Sequence, residues 1–130
     1  MKRMINNLLL LTMFVLLSGS CCCDEGHHVA LKNNSDKTIY YGLSYSYPDT
    51  SLIDFVHRGN QAYKMVSGEQ ANIIPESRFN SCSTIQFFIF DADVIEHESW
   101  DSIDAHYKIL KRYTFTQRDM ERMNWTITYP

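Results

Sequence analysis

The first twenty residues constrain this chain most, because their composition is that of a segment that does not join the folded domain. Lys2 and Arg3 give a short positive start, an apolar stretch follows from Leu8 to Leu17, and small residues end it. These are the features of a secretory signal peptide. The apolar stretch is about half of the roughly 20 residues that a transmembrane helix needs. We therefore expect residues 1–20 to be removed after export.

Three cysteines, Cys21-Cys22-Cys23, follow this segment directly. The run Leu16-Leu17-Ser18-Gly19-Ser20-Cys21 resembles a bacterial lipobox, although serine stands at position 18, where leucine is usual. The resemblance implies cleavage before a cysteine whose sulfur then carries diacylglycerol. We assign lipidation to Cys21, with Cys22 and Cys23 as alternatives that would each leave a cysteine just before the cut. Several acyl chains hold a protein stably at a membrane, whereas one chain binds marginally.

A disulfide framework is the other interpretation of the cysteines, because export leads through an oxidising compartment. Only Cys82 remains elsewhere in the chain, and adjacent cysteines rarely all pair. Lipidation is therefore the stronger interpretation of the cysteine run. One bridge from Cys82 to Cys22 or Cys23 stays open as an additional feature.

The remaining chain has the size and charge of one mildly acidic domain. Removal of residues 1–20 leaves 110 residues. The signal segment contains two of the twelve basic residues and none of the fifteen acidic ones, so the mature net charge is −5. Nucleic acid requires basic patches, so no nucleic-acid partner is expected. We divide the chain into a signal peptide (1–20), a lipid anchor and tether (21–28) and a single β-rich domain (29–130).

Alternation of apolar and polar residues predicts that this domain consists mainly of strands. Residues 38–47 alternate as a half-buried strand would, and the turn at 33–36 predicts a hairpin with a strand at 29–32. Residues 85–90 are apolar on nearly both faces, which predicts a central strand covered on two sides. Residues 51–56 fit a short helix or a strand. Further strands are predicted at 61–67, 70–74, 109–115 and 125–129.

Two short helices interrupt this pattern late in the chain. Ser99 can cap a helix in which Trp100, Ile103 and Tyr107 have helical spacing. Residues 116–119 resemble a capping box with aspartate in the glutamate position, flanked by an apolar staple of Phe115 and Met120. Early hairpins with late helices favour an antiparallel β-sandwich with one or two short helical insertions in the C-terminal half over a parallel α/β fold.

The densest group of potential ligands and catalytic residues lies between positions 91 and 106. Its calcium-loop pattern is incomplete, because no glycine stands at the sixth position and Ser102 stands at the twelfth. Its histidines lack the spacing of a zinc pair. We therefore expect no metal and no cofactor, with a small envelope hydrolase based on this cluster as the alternative function. The members are Asp91, Asp93, Glu96, His97, Glu98, Asp101, Asp104 and His106.

Other nucleophile signatures are weak, and two features concern the surface instead. No Gly-x-Ser-x-Gly motif occurs, and Cys82 has no local signature of a catalytic thiol. The tyrosines of residues 39–47 form a candidate platform for sugars or partner side chains, although a strand between core and surface explains the same alternation. Asp101-Ser102-Ile103 resembles the acceptor of the general O-glycosylation system of the Bacteroidota, which implies an exposed, glycosylated Ser102.

The C-terminal half resembles small uncharacterised lipoproteins of the Bacteroidota, in residues 87–93, 107–113 and 124–130. Residues 33–37 and 47–50 fit the same pattern. The resemblance implies a lipid-anchored domain at the cell membrane or outer membrane, periplasmic or surface-exposed, and implies no activity. Asp24-Glu25 loosely fits the acidic residues that are associated with surface display in such bacteria. We expect a non-enzymatic binding or structural module, with the membrane and a protein or glycan as partners.

Overall fold

The computed structural model describes residues 27–75, 78–79 and 83–130. The predicted signal peptide, Cys21, Cys22, Cys23 and Cys82 lie outside the described residues. The described chain forms strands and short helices in the following order: β1 (His28–Asn33), β2 (Ile39–Ser44), α1 (Ile53–Val56), β3 (Ala62–Met65), β4 (Gln70–Pro75), β5 (Thr84–Asp91), α2 (Ala92–His97), α3 (Trp100–Ala105), β6 (Lys111–Thr116), α4 (Gln117–Arg122) and β7 (Thr126–Tyr129).

The strands form two sheets, which confirms the predicted β-sandwich. One sheet has the order β4-β1-β7 and the other has the order β3-β2-β5-β6. Within the described residues, β1 and β7 pair in parallel, and the other four strand pairings are antiparallel. Helices α3 and α4 correspond to the two predicted insertions, residues 51–56 contain the helix α1, and α2 is an additional helix.

The predicted hairpin of β1 and β2 is wrong, because these strands belong to different sheets. The turn between them crosses from one sheet to the other, and the buried side chain of Asn33 fixes it there. Its Nδ2 donates to the carbonyl oxygens of Lys37 at 2.8 Å and Val66 at 3.1 Å. Its Oδ1 accepts from the backbone N–H of Ser35 at 3.1 Å. The turn therefore satisfies its polar groups without pairing β1 with β2.

Strand β5 is central and covered on both faces, as predicted: residues 85–90 are all buried. Ile85, Phe87 and Ile89 pack in the core between the two sheets. Phe88 and Phe90 belong to a second apolar cluster, which the helices cover. The other buried members of that cluster are Leu52, Phe55 and Ile103.

Strand β2 is shorter than predicted and is covered on both faces, so the half-buried interpretation is wrong. It ends at Ser44, not at Tyr47. Gly42 and Ser44 lie on the face opposite Ile39 and Tyr41, and they are also buried. Helix α1 covers this face, because the ring of Phe55 lies against Gly42.

The predicted helix caps are confirmed. The hydroxyl oxygen of Ser99 accepts from the backbone N–H of Ser102. Thr116 and Asp119 form a reciprocal capping box, in which the Asp119 carboxylate accepts from the Thr116 backbone N–H at 2.9 Å. Asp91 caps the additional helix α2 by accepting from the backbone N–H of Asp93 at 2.8 Å. Each cap satisfies a backbone donor that the first helical turn leaves unpaired.

Candidate functional site

The predicted acidic cluster does not converge on one site, because its members serve separate local contacts. Asp91 caps α2, and Asp104 accepts from the backbone N–H of Leu52 at 3.2 Å. Glu96 accepts from Lys64 Nζ at 2.6 Å, whereas Glu98 is the partner of Lys108, in the turn after α3, at 2.7 Å. No group of three histidine, cysteine, aspartate or glutamate side chains in the described ranges is arranged to hold a metal ion.

The ion pairs lower the carboxyl pKa values in this region. The hydrogen bond from Lys64, followed by that from Tyr40, lowers the pKa of Glu96. The hydrogen bond from Lys108, followed by that from Ser102, lowers the pKa of Glu98. A general acid at neutral pH needs a raised pKa, so these two carboxyl groups are tuned in the opposite direction.

The histidines of the cluster contact their own helices. His97 Nδ1 lies 2.8 Å from the carbonyl oxygen of Asp93, and His106 Nδ1 lies 3.0 Å from that of Ser102. Both contacts span four residues, so neither ring is directed by a residue of another element. At the beginning of the described chain, the His27 ring stacks on Trp125 with 6.0 Å between ring centroids, so the residue before β1 packs on the domain.

Ser102, the predicted glycosylation site, is half-buried within α3, so the expectation of an exposed residue is wrong. Its hydroxyl donates to Glu98 Oε2 at 2.9 Å, and the same carboxylate binds Lys108. A glycan on Ser102 would replace this hydrogen bond. Its modification stays a prediction.

The predicted tyrosine platform divides into a buried and an exposed part. Tyr41 is only 9% exposed, and burial, followed by the neighbouring Tyr63 and Glu69, raises the pKa of its hydroxyl. Tyr45, beyond the end of β2, is 52% exposed. Tyr63 on β3 lies opposite Tyr41 in the sheet, with ring centroids 5.5 Å apart, and is 49% exposed. The exposed aromatic surface therefore combines the segment after β2 with strand β3.

Tyr45 and Tyr63 line an open cleft of about 310 Å³, which we call the tyrosine cleft. The chain leaves β2, passes through α1 and returns to β3, and the cleft lies between the two ends of this excursion. Two of its lining residues are joined by a hydrogen bond, because Asn60 Nδ2 donates to the carbonyl oxygen of Leu43 at 2.8 Å. Gly59, at φ 71°, adopts the left-handed conformation that glycine tolerates best. The lining residues are Leu43, Tyr45, Gly59, Asn60, Gln61 and Tyr63.

A buried carboxylate supports the wall of the tyrosine cleft. Asp54 on α1 is 3% exposed and accepts hydrogen bonds from the hydroxyls of Ser44 and Ser46. Arg58 lies 3.1 Å from the same carboxylate and also donates to Ser46 Oγ at 2.8 Å. The backbone N–H of Asn60 donates to the carbonyl oxygen of Asp54 at 2.9 Å. These contacts connect the segment between α1 and β3 to the end of β2. They also pair the charges of Asp54 and Arg58 next to the cleft.

This arrangement does not follow from the sequence pattern. The pattern predicts only a short strand around Tyr63 and indicates no role for Asp54. The available signal was an aspartate within the apolar run Leu52-Ile53-Asp54-Phe55, since a buried carboxylate requires partners.

A second cleft of about 310 Å³ is lined by Asp91, Asp93 and Lys37, among others. Its side chains carry both charge signs, and Asp91 already caps α2.

No helix in the described part of the chain is long and apolar enough to cross a membrane. No known protein family, characterised protein or solved structure matches this chain. Because no similar protein indicates a site, the choice rests on the geometry of the described residues, which favours the tyrosine cleft.

Proposed function

We propose that the chain is a lipid-anchored protein of the bacterial cell envelope, and that its β-sandwich is a non-enzymatic binding module. The tyrosine cleft is its recognition surface. The observation that carries this proposal is the exposure of Tyr45 and Tyr63 beside the amide side chains of Asn60 and Gln61. Exposed aromatic rings next to hydrogen-bonding groups are typical anchors of recognition surfaces.

The anchoring part of the proposal rests on the N-terminal sequence. The positive start, the short apolar core and the lipobox-like run before Cys21 support export followed by lipidation. The resemblance to small lipoproteins of the Bacteroidota supports a location at the cell membrane or outer membrane. Cys21 and His28 are seven positions apart, a separation that spans at most about 25 Å. A domain anchored through Cys21 thus stays close to the membrane surface.

The alternative is a small envelope hydrolase that uses the region from Asp91 to Asp104. The contacts of this region favour structural roles, because Asp91 caps a helix and Asp104 accepts from the Leu52 backbone. Glu96 and Glu98 have lowered pKa values, whereas a carboxylic acid that donates a proton near neutral pH needs a raised one. These observations support a binding role over a hydrolytic one.

Photo-crosslinking in living cells tests the binding role. A benzophenone amino acid placed at Gln61, which is exposed in the tyrosine cleft, forms a covalent bond with C–H groups of any molecule that occupies the cleft. The matched control is position Leu110, which is 45% exposed beside β6, at the other edge of the same sheet.

We expect a discrete adduct of raised mass from position 61 and none from position 110. Absence of an adduct at 61, or equal adducts at both positions, would contradict the binding role of the cleft. An adduct of twice the chain mass would identify a second copy as the occupant and would contradict recognition of a distinct ligand.

A further inference from the structure

We infer that the tyrosine cleft binds a neutral carbohydrate, with the rings of Tyr45 and Tyr63 packed against sugar rings. This inference rests on the proposed binding role of the cleft. It adds the chemical class of the ligand, which follows from the position of the tyrosines, the charge of the lining and the size of the cleft.

Tyr63 presents an exposed aromatic ring on the same face of the sheet as side chains that are buried in the core. It lies directly opposite Tyr41, whose side chain packs between the sheets. Along the same strand, Met65 is 1% exposed, whereas Tyr63 is 49% exposed. The second sheet therefore covers one end of β3 and leaves the other end open. An apolar ring surface of this kind binds a flat partner with its own apolar face, and the C–H face of a pyranose ring is such a partner.

Among the described residues, none of those that line the cleft carries a charged side chain. The charged neighbours of the lining in the sequence are both paired. Arg58, next to Gly59, lies 3.1 Å from Asp54, and both also bind the hydroxyl of Ser46. Lys64, next to Tyr63, lies 2.6 Å from Glu96. Recognition of a phosphate, a carboxylate or an ammonium group uses an opposite charge or charge-assisted hydrogen bonds. The described lining offers neutral donors and acceptors and no opposite charge, which favours an uncharged ligand.

The polar groups of the cleft match hydroxyl groups, which both donate and accept hydrogen bonds. The exposed amide of Gln61 provides donors and an acceptor, and the hydroxyls of Tyr45 and Tyr63 provide both functions. Asn60 uses Nδ2 on the Leu43 carbonyl oxygen, which leaves its Oδ1 as an acceptor. Alternating donors and acceptors around aromatic rings suit a sugar better than a hydrocarbon.

The size of the cleft favours a sugar over a folded protein. Its volume of about 310 Å³ lies at the lower end of small-molecule pockets. A stable protein interface needs about 800 Å² from each partner, which is far more than six lining residues present. One or two rings of an oligosaccharide are thus the fitting occupant.

Titration of the full mature protein in micelles of a detergent without a sugar head group tests the inference. Tyrosine ring signals are followed by NMR while neutral tetrasaccharides of glucose, N-acetylglucosamine or mannose are added. Tetragalacturonate is the charged comparison. Each neutral sugar that binds is also offered as a glycolipid head group in vesicles, so that free and membrane-borne sources are distinguished; binding of either form supports the inference.

We expect at least one neutral tetrasaccharide to shift the ring signals of Tyr45 and Tyr63 and to bind about tenfold more tightly than tetragalacturonate. Tyr45→Ala and Tyr63→Ala should each weaken binding about tenfold, the upper range for one aromatic contact. Tyr45→Phe and Tyr63→Phe should keep affinity within about threefold, because the ring remains. Leu110→Ala, at the opposite edge of the sheet, should leave affinity unchanged.

Equal affinity for the charged tetrasaccharide, or no response of either tyrosine to any neutral one, would overturn the carbohydrate assignment. Crosslinking at Gln61 reports occupancy whatever the occupant is. An adduct in cells without sugar binding in the titration would therefore retain the binding module and overturn only the ligand class. A peptide in that adduct would identify the competing class.

Discussion

The ring of Phe55 fills the space that a side chain at Gly42 would need. A Cβ atom added to Gly42 would overlap Phe55 Cε1 and lie 2.6 Å from its Cζ. Phe55 is held there by edge contacts with Phe88 and Phe90 and by stacking on Trp100 at 5.3 Å. The close approach lets α1 dock on β2, and α1 in turn carries the carboxylate that supports the tyrosine cleft.

Gly42→Ala should therefore lower the free energy of unfolding by about 1–3 kcal/mol, the usual cost of overpacking a filled core. Urea denaturation of the purified protein measures this loss. The same substitution in a Phe55→Leu background should cost less, because leucine lacks the two ring atoms that clash. Equal stability of Gly42→Ala and the unsubstituted protein would show that this contact does not limit the docking of α1.

The two members of the Asp54–Arg58 pair should contribute very differently to stability. Asp54→Asn removes the buried charge that two serine hydroxyls bind, and we expect a loss of about 2 kcal/mol. Arg58→Ala should cost less than about 1 kcal/mol, because the Arg58 side chain is 61% exposed and the serines still bind Asp54. Thermal or urea unfolding of both variants measures these losses of stability. An equal loss in the two variants would contradict the claim that the serine hydroxyls stabilise the Asp54 carboxylate.

Asn33 should be indispensable for the turn that joins the two sheets. Asn33→Ala removes the donors to the carbonyl oxygens of Lys37 and Val66, so we expect a loss of about 2 kcal/mol or more. Asn33→Asp keeps the acceptor for Ser35 but lacks the amide donors, and should also destabilise. The neighbouring exposed residue offers the control Asn34→Ala, which should change unfolding little. A small effect of both Asn33 substitutions would contradict this role.

The capping box of α4 should make stability depend on pH in a defined direction. The side-chain hydrogen bond with Thr116, followed by the bond from the Thr116 backbone, lowers the pKa of Asp119 from its ordinary 3.8. A lowered folded-state pKa adds stability that is present above the ordinary value and is lost as the pH falls through the folded-state value. Asp119→Asn should thus be less stable at neutral pH, and the difference should shrink below about pH 4.

Unfolding curves of both proteins across this range, with Asp36→Asn as an exposed aspartate control, check the prediction. A difference between Asp119→Asn and the unsubstituted protein that stays constant from neutral to acid pH would contradict the electrostatic account of the cap.

Local patterns were sufficient where the stabilising contacts are local. Residues 85–90 are apolar at almost every position, so a strand covered on both faces follows from composition alone. The capping box joins Thr116 and Asp119, which are three positions apart, and its residue types reveal it directly. Such elements depend little on the remainder of the fold.

Sheet membership depends on distant contacts and was not predictable. The turn at 33–36 indicates that the chain reverses, and a hairpin or a crossover between sheets satisfies the same pattern. The deciding bond joins Asn33 to Val66, 33 positions further on. Similarly, the strand predicted at 38–47 ends at Ser44, whose hydroxyl donates to Asp54 of α1, a partner that the alternation of the strand does not reveal.

Closeness in sequence was a poor guide to the candidate site. The acidic residues from 91 to 106 are dense along the chain, yet two short helices direct them to different partners. In the tyrosine cleft, by contrast, Tyr45 and Tyr63 are distant in the sequence. They line the same cleft because the chain returns from β2 to β3. The cleft forms because α1 packs on β2, and the alternation of residues within one strand does not predict that packing.

The most direct test of the account is the mass of the mature N-terminal peptide, measured on protein purified from membranes of a lipoprotein-processing bacterium. We predict a peptide that begins at Cys21 and carries a diacylglycerol thioether, and Cys21→Ala should abolish it whereas Cys22→Ala should preserve it. An unmodified N-terminus, or an uncleaved chain that begins at Met1, would contradict the claim that this domain is presented at a membrane by a lipid anchor.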